Sequence, residues 1–352
     1  MSSPFATCDT IPAMRHTLLT LAFLFASLAA MPARAAGTLN IYFIDVEGGQ
    51  ATLMVTPGGE SLLIDTGWPD ANGRDADRIV TAAKAVGVKQ IDYLVITHYH
   101  LDHVGGVPQL AERLPVRRFV DHGASVETDP ESKKLFEDYV RVRVRGQHIL
   151  ARPGEDILLK GLDVEILTAA GRVITQPLPG AGEKNPRCDS TPPREVDHSE
   201  NAQSVGLLVR FGKFRFIDLG DLTWNKELEL FCPVNKVGAV DVYLSSHHGL
   251  AESGSPAMVD ALHPRVAIMN NGAKKGGEVE AWQTIHNSPG LEDLWQLHYA
   301  IAGGPEHNVS EQFIANPQEQ CKGYAIKLSA NPDGSFTVTN TRTGYSKSYP
   351  PL

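Results

Sequence analysis

One run of ten residues limits what this chain can become more than any other: Thr97-His98-Tyr99-His100-Leu101-Asp102-His103-Val104-Gly105-Gly106. Three histidines and a carboxylate fall within six positions, directly after the apolar stretch Tyr93–Thr97. Neutral imidazole and carboxylate are good ligands for zinc and similar divalent ions. In an extended segment His98 and His100 project to the same side. Asp102 and His103 lie just past the strand end, where the chain turns, and can serve a second ion beside the first. Gly105 and Gly106 let the backbone approach closely and start a helix. A lone histidine such as His148 or His263 reads as a surface or core residue. Four candidate ligands at this spacing read as a metal centre, and the fold must deliver a buried strand to a polar pocket.

The rest of the chain supplies such a frame. Leu39–Ile44, Ala51–Val55 and Ser61–Ile64 read as strands, the last two separated by the turn Thr56-Pro57-Gly58-Gly59. Over Asp75–Val86 the apolar residues Ile79, Ala82, Ala83 and Val86 recur at helical spacing, and Gly87 closes the helix. Strands recur at Leu162–Leu167, Ser204–Phe211, Phe214–Leu219, Val240–Leu244 and Val266–Met269, with helices at Asn225–Phe231 and Ser255–Leu262. Tyr324–Leu328 and Ser335–Thr339 read as a hairpin around Asn331-Pro332-Asp333-Gly334. Residues 171–198, rich in Pro, Gly and polar side chains, read as a long functional loop. Arg141–Arg145, where Arg alternates with Val, reads as a strand or helix edge with solvated arginines. Strands and helices mixed in this way predict stacked sheets with helices outside, in one domain.

The N-terminus reads as a targeting segment. Arg15 and His16 precede the apolar run Leu18–Ala30, and Ala33-Arg34-Ala35 supplies a small-x-small cleavage site. Residues 1–36 are therefore expected to be a signal peptide, with Met14 an alternative start and the mature chain beginning near Ala36 or Gly37. No Cys stands at the cleavage site to take a lipid, and no later stretch is long and apolar enough to span a bilayer. The expectation is a periplasmic or secreted protein. Cys8 leaves with the signal, and Cys188, Cys232 and Cys321 remain, an odd number that predicts one disulfide and one free thiol, with the pairing open. The formal net charge of −9 argues against a stable nucleic-acid complex, which needs a basic face for phosphates. The sequence is silent on oligomeric state.

The His-x-His-x-Asp-His run after a strand resembles the signature of the metallo-β-lactamase superfamily. Other segments resemble that pattern in order. Leu62-Leu63-Ile64-Asp65-Thr66-Gly67 resembles an early strand whose Asp supports the metal loop from behind. Phe216-Ile217-Asp218-Leu219-Gly220-Asp221 resembles the strand that delivers a bridging carboxylate, placed on Asp221. Ser245-Ser246-His247-His248-Gly249 resembles the strand end that supplies the last histidine, His248, with His247 beside it. The resemblance spans about Leu39–Asn270. Within the superfamily it is similar to the hydrolase domain of ComEC-type competence proteins, on Asn201-x-x-Ser204, on His-His-Gly, and on Ile44-Asp45-Val46-Glu47-Gly48-Gly49-Gln50, which departs from that branch at Glu47, Gly49 and Gln50. Many members carry a further histidine ligand about twenty residues before the bridging Asp. Here His198 is offset from that place and Asn201 fits the ComEC-type pattern.

The resemblance implies an α/β (α+β) fold, a four-layer αββα sandwich, as one hydrolase domain over residues 37–352, with 290–352 a C-terminal extension of it. It implies two divalent metal ions, zinc or alternatively manganese. The ligands would be His98, His100, Asp102, His103, Asp221, His248 and His247. Asp102 and Asp221 would be catalytic, and Asp65, Asp45, Asn201, Ser204 and His198 would support the metals or the substrate. His298 and His307 lie outside the shared pattern and are expected to be structural. The implied function is exported, binuclear, metal-dependent hydrolysis with a metal-activated water as nucleophile, the substrate being a phosphodiester or another small molecule. Ester, lactone or β-lactam hydrolysis is the alternative, and a non-catalytic metal-binding module is a third reading.

Overall fold

Strand residues sort by parity into three apolar layers. Leu62 and Ile64 face one way and Leu63 the other; Leu207 and Val209 face the same layer as Leu62, while Leu208 turns away. Two sheets therefore share one apolar filling and each buries its far face under helices. The computed structural model describes residue 1, residues 37–69 and residues 72–352. The expected signal peptide, with Met14 and Cys8, lies outside the described residues apart from Met1.

The first sheet has nine strands in the order Ser346–Tyr349, Phe336–Asn340, Ile326–Ala330, Leu39–Phe43, Thr52–Val55, Ser61–Ile64, Tyr93–Val95, Arg118–Asp121 and Gln147–Leu150. The second runs Ile314–Asn316, Asp293–His298, Val266–Met269, Val242–Leu244, Phe214–Asp218, Gly206–Phe211, Leu162–Ala169 and Asp156–Leu159, and Arg172–Val173 pairs with Leu162–Ala169. Between the sheets lie Phe43, Leu62, Val95, Phe216, Trp295, Phe336 and their neighbours. Helices Arg74–Ala85, Val107–Arg113 and Pro130–Arg143 cover the first sheet with Ile79, Leu110 and Tyr139. Helices Trp224–Phe231, Pro256–Leu262 and Val279–His286 cover the second with Leu230, Met258 and Ile285. The result is a helix–sheet–sheet–helix sandwich, and residues from 37 on belong to one compact unit.

The C-terminal residues are woven into both sheets. Ile326–Ala330 pairs directly with Leu39–Phe43, and Asp293–His298 pairs in parallel with Val266–Met269. Arg141 and Arg143 end the helix Pro130–Arg143, and Arg143 reaches back to Asp121 at 2.9 Å. Within residues 171–198 two short segments pair with the body, and Cys188 forms a disulfide with Cys232. Cys321 is a free thiol. No helix among the described residues is long and apolar enough to cross a membrane.

Candidate metal centre

Parallel strands bring their C-terminal ends to one place. Ser61–Ile64 and Tyr93–Val95 pair in parallel in the first sheet, and Phe214–Asp218, Val242–Leu244 and Val266–Met269 do so in the second. The segments that follow them carry Asp65, His98 to His103, Asp221, His247, His248 and Lys275. Apart from Ser61 and Arg215 near their starts, these strands are mainly apolar until they end, so the polar side chains that follow fall together at the rim between the sheets.

Four ligand atoms form a small cage. His103 Nε2 lies 3.3 Å from Asp102 Oδ2, 3.2 Å from Asp221 Oδ2 and 3.1 Å from His248 Nε2. His248 Nε2 lies 3.1 Å from Asp102 Oδ2 and 3.4 Å from Asp221 Oδ2. Ligands about 2.0–2.1 Å from a tetrahedral zinc stand roughly 3.3 Å apart. The donors therefore fit a divalent ion without rearrangement. His103 donates through Nδ1 to Asp65 Oδ2 at 2.7 Å, which turns its Nε2 toward His248 and the two carboxylates.

A second set surrounds the same carboxylate. His98 Nε2 is 3.8 Å and His247 Nε2 is 3.4 Å from Asp221 Oδ2. His98 is fully buried, yet its Nε2 and Asp221 Oδ1 have no hydrogen-bond partner. Buried polar atoms are almost always satisfied, so this pair suits a bound cation. The His100 ring lies 4.7 Å from that of His98, a third of its side chain is exposed, and its Nε2 is 3.7 Å from Glu127 Oε1. His100 thus stands at the outer edge of the second set, and His247, rather than His198, faces Asp221.

Electrostatics favour a cation here. Burial pushes His103 toward its neutral form, but Asp221, Asp102 and Asp65 outweigh it and hold the ring well above the usual histidine value. Burial lowers His98 well below that value, with His103 adding to the effect, so its ring is neutral and free to ligate. A pocket that draws a proton so strongly onto one buried ring draws a divalent ion for the same Coulombic reason.

The backbone is shaped to this end. Asp65 sits in the left-handed region at φ 59° and accepts from Thr97 N at 2.8 Å and Thr97 Oγ1 at 2.6 Å, clamping the residue before His98. His247 and His248 are consecutive left-handed residues, φ 52° and 56°, pinned by His247 N to Gly220 O at 3.0 Å and Gly277 N to His248 O at 3.0 Å. Non-glycine residues pay of order 1–3 kcal/mol each for such conformations.

Other sequence candidates fall elsewhere. Asp45 faces away from the cage and binds His298 at 2.8 Å and Arg78 at 2.9 Å, because the chain turns sharply after Leu39–Phe43. His198 is exposed and has no part in the cage. Ser204 is fully buried, and its carbonyl accepts from Thr168. Asn201 lines a 560 Å³ cleft beside the centre with His100, Arg194, Asp197, Trp224, His247 and Glu252. His298 and His307 lie outside the cage: His298 bonds Asp45 at 2.8 Å and His307 bonds Gln283 at 3.0 Å. Three contributors escaped the sequence reading. Lys275 contacts Asp102, and its ammonium lies 5.2 Å over the Trp68 ring. Buried Glu200 accepts from Tyr99 N at 3.1 Å and His122 Nε2 at 2.8 Å, bracing the ligand loop from behind. Gln50 N donates to Asp102 O at 3.1 Å, and its side chain bonds Asp218. Lys275 and Glu200 belong to no local motif, and Gln50 enters the sequence reading only as a departure from the ComEC-type segment.

Residues 44–182 match the family described as the Metallo-beta-lactamase superfamily. The chain is similar to Recombination protein 2 of Haemophilus influenzae, 25% identical over 236 residues, covering 67% of this chain and 24% of that protein. It is also similar to ComE operon protein 3 of Bacillus subtilis, 23% identical over 246 residues, covering 66% of this chain and 28% of that protein. The chain thus spans about a quarter of the length of these curated relatives. Among solved structures, the metallo-beta-lactamase fold protein YhfI from Bacillus subtilis aligns with a TM-score of 0.45 at 10% identity, covering 74% of this chain and 95% of that one. With Asp65 and the His98 to His103 run inside the matched residues, and Asp221 and His248 brought to them by the fold, the chain carries a metallo-β-lactamase superfamily domain.

Proposed function

We propose that this chain is an exported, binuclear metal-dependent hydrolase acting on a phosphodiester. The observation that carries the reading is the cage of Asp102, His103, Asp221 and His248 with a cationic side chain, Lys275, fixed against it. Asp221 would be shared by two ions. His103, His248 and Asp102 would complete one ligand set, and His98, His247 and His100 the other. Imidazole and carboxylate donors suit zinc, with manganese the alternative. Two such ions supply an activated water and neutralise charge on the substrate's oxygens. The protein's own part is to orient and to move protons. Asp65 and Thr97 fix the rings, Asp102 is placed to pass a proton to the leaving oxygen, and Lys275 meets developing negative charge with a pre-set ammonium.

The cleft also holds Glu195, Asp197 and Glu252 beside Arg194, whose guanidinium stacks 3.5 Å over Trp224. Those carboxylates repel a long polyanion, which favours a small phosphodiester and supports ester or lactone hydrolysis as the second reading. A hydrolysis panel on purified protein separates the two: bis(p-nitrophenyl) phosphate and short single-stranded DNA against p-nitrophenyl acetate, lactones and nitrocefin, each with zinc or manganese. The expected result is phosphodiester turnover. Lys275→Ala is expected to lower kcat/KM for the phosphodiester by about 10–100-fold, the value of one charged hydrogen bond, while sparing neutral esters. Lactone turnover alone, indifferent to Lys275, would move the assignment to the second reading.

Export is part of the same proposal, with residues 1–36 as the signal and 37–352 as the mature hydrolase unit. The Cys188–Cys232 disulfide supports an oxidising compartment. Mass spectrometry of envelope-fraction protein is expected to find a chain starting near Ala36. A full-length cytoplasmic product would refute it.

A further inference from the structure

A second cluster of ligand atoms lies outside the cage and shares no residue with it. Asp45, Glu47, His298 and Cys321 each bring one ligand atom to within 4.8 Å of the others. They come from three places: the turn after Leu39–Phe43, the end of Asp293–His298, and the segment after Ile314–Asn316. His298 Nε2 is 2.8 Å from Asp45 Oδ1, 3.8 Å from Glu47 Oε2 and 4.0 Å from Cys321 Sγ. The sulfur is 3.1 Å from Asp45 Oδ2 and 3.4 Å from Glu47 Oε1. A tetrahedral zinc with one sulfur at about 2.3 Å and three N or O ligands at about 2.0 Å has ligand separations of roughly 3.3–3.5 Å, the middle of this range. Asp45 and His298 are fully buried. His298 Nδ1 has no hydrogen-bond partner, so every polar contact made by the ring side chain points into the cluster.

Arg78 flanks the group, donating to Asp45 at 2.9 Å and to Glu47 at 3.1 Å. A self-contained ion-pair knot is the competing explanation. In such a knot Arg78 also touches the Cys321 sulfur at 3.6 Å, and Arg74 reaches Glu47 at 3.9 Å. The knot gives no reason for a thiol set between two carboxylates and a buried imidazole. A divalent ion that displaces the thiol proton gives all four side chains one role, as ligands.

We infer that Asp45, Glu47, His298 and Cys321 form a third metal site, separate from the catalytic pair, for zinc or a similar thiolate-binding divalent ion. Its role is positional. The ion ties the segment 45–50 to the C-terminal part of the chain, and that segment ends at Gln50, whose backbone N–H holds the Asp102 carbonyl at 3.1 Å.

Cobalt(II) reads this site separately, because the catalytic cage contains no cysteine and the disulfide leaves Cys321 as the free thiol among the described residues. The full chain carrying Cys8→Ser, stripped with a chelator under non-reducing conditions, is titrated with cobalt(II). The expected result is a near-ultraviolet thiolate-to-cobalt charge-transfer band that disappears in Cys321→Ser and weakens in His298→Ala. Elemental analysis should find one ion fewer per chain in Cys321→Ser. A second measurement needs no variant at these positions: added zinc should slow iodoacetamide alkylation of Cys321 by about tenfold or more, since the bound thiolate is withdrawn from reaction. Absence of the band together with a zinc-independent alkylation rate would overturn the site, and would leave the catalytic assignment untouched.

Discussion

Asp221→Asn is expected to abolish hydrolysis while leaving the fold in place. The substitution keeps the shape of the side chain and removes one charge. That charge sits on the single oxygen that meets His103 at 3.2 Å, His247 and His248 at 3.4 Å and His98 at 3.8 Å. An amide cannot be shared between two cations as a carboxylate can. Metal content is therefore expected to fall from about two ions in the catalytic centre to one or fewer. The loss in kcat/KM should exceed the roughly 10–100-fold that follows from disturbing a supporting partner of a ligand. Asp221 lies outside all three apolar clusters, so circular dichroism should be unchanged. The readout is elemental analysis beside activity on the best substrate of the panel. An Asn variant that keeps both ions and near-normal turnover would show that Asp221 is not the shared ligand.

Asp102→Ala comes second in expected size. Asp102 lies in the first turn of the short helix Leu101–Val104, where its carboxylate faces His103, His248 and Lys275. Under the proposed function it would be a cage ligand and also the carboxylate that exchanges a proton with the reacting groups. Removing a positioned acid or base costs about 10²–10⁴-fold in rate. The fold should survive, because Gln50 holds the backbone carbonyl of Asp102 rather than its side chain. Leu101→Met is the internal control. Leu101 is an exposed residue rather than a packing one, and the change should leave rates near wild type. Turnover, metal content and circular dichroism are measured together. Full activity in Asp102→Ala with both ions bound would remove this helix turn from the chemistry. Should the alanine variant fail to fold, Asp102→Asn tests the same charge with less disturbance.

Much of the centre was legible because its ligands are local. His98 to His103 fall within six positions, and Asp65, Asp221 and His248 each follow an apolar run that ends in polar residues. A strand announces itself by its apolar residues, so the place where it stops is readable too. Lys275, Glu200 and Gln50 were not legible, since each reaches the centre from a distant segment and belongs to no repeating pattern. Asp45 misled for the opposite reason. It stands in a segment that resembles a family motif, yet the turn that follows aims it at His298 and Arg78. The helix Pro130–Arg143 carried signals, Asp129 as its N-cap and Pro130 in its first turn, but only Tyr139 and Val142 are buried, too few for a clear apolar stripe. The strands read between Leu39 and Met269 lie within a few residues of the observed ones because they are apolar runs bounded by turns, whereas Val107–Arg113, Arg118–Asp121, Gln147–Leu150 and Asp156–Leu159 carried no pattern clear enough to assign.

The consecutive left-handed histidines set a limit on improving this protein. At positions 247 and 248 glycine or asparagine would relax the backbone and give a sturdier chain, since both tolerate positive φ. Directed evolution for heat tolerance alone would drift toward those replacements and would lose imidazoles facing Asp221 as it did so. On the proposed function, robustness and turnover are opposed at two adjacent codons, and a screen for hardier variants would have to hold both of them fixed.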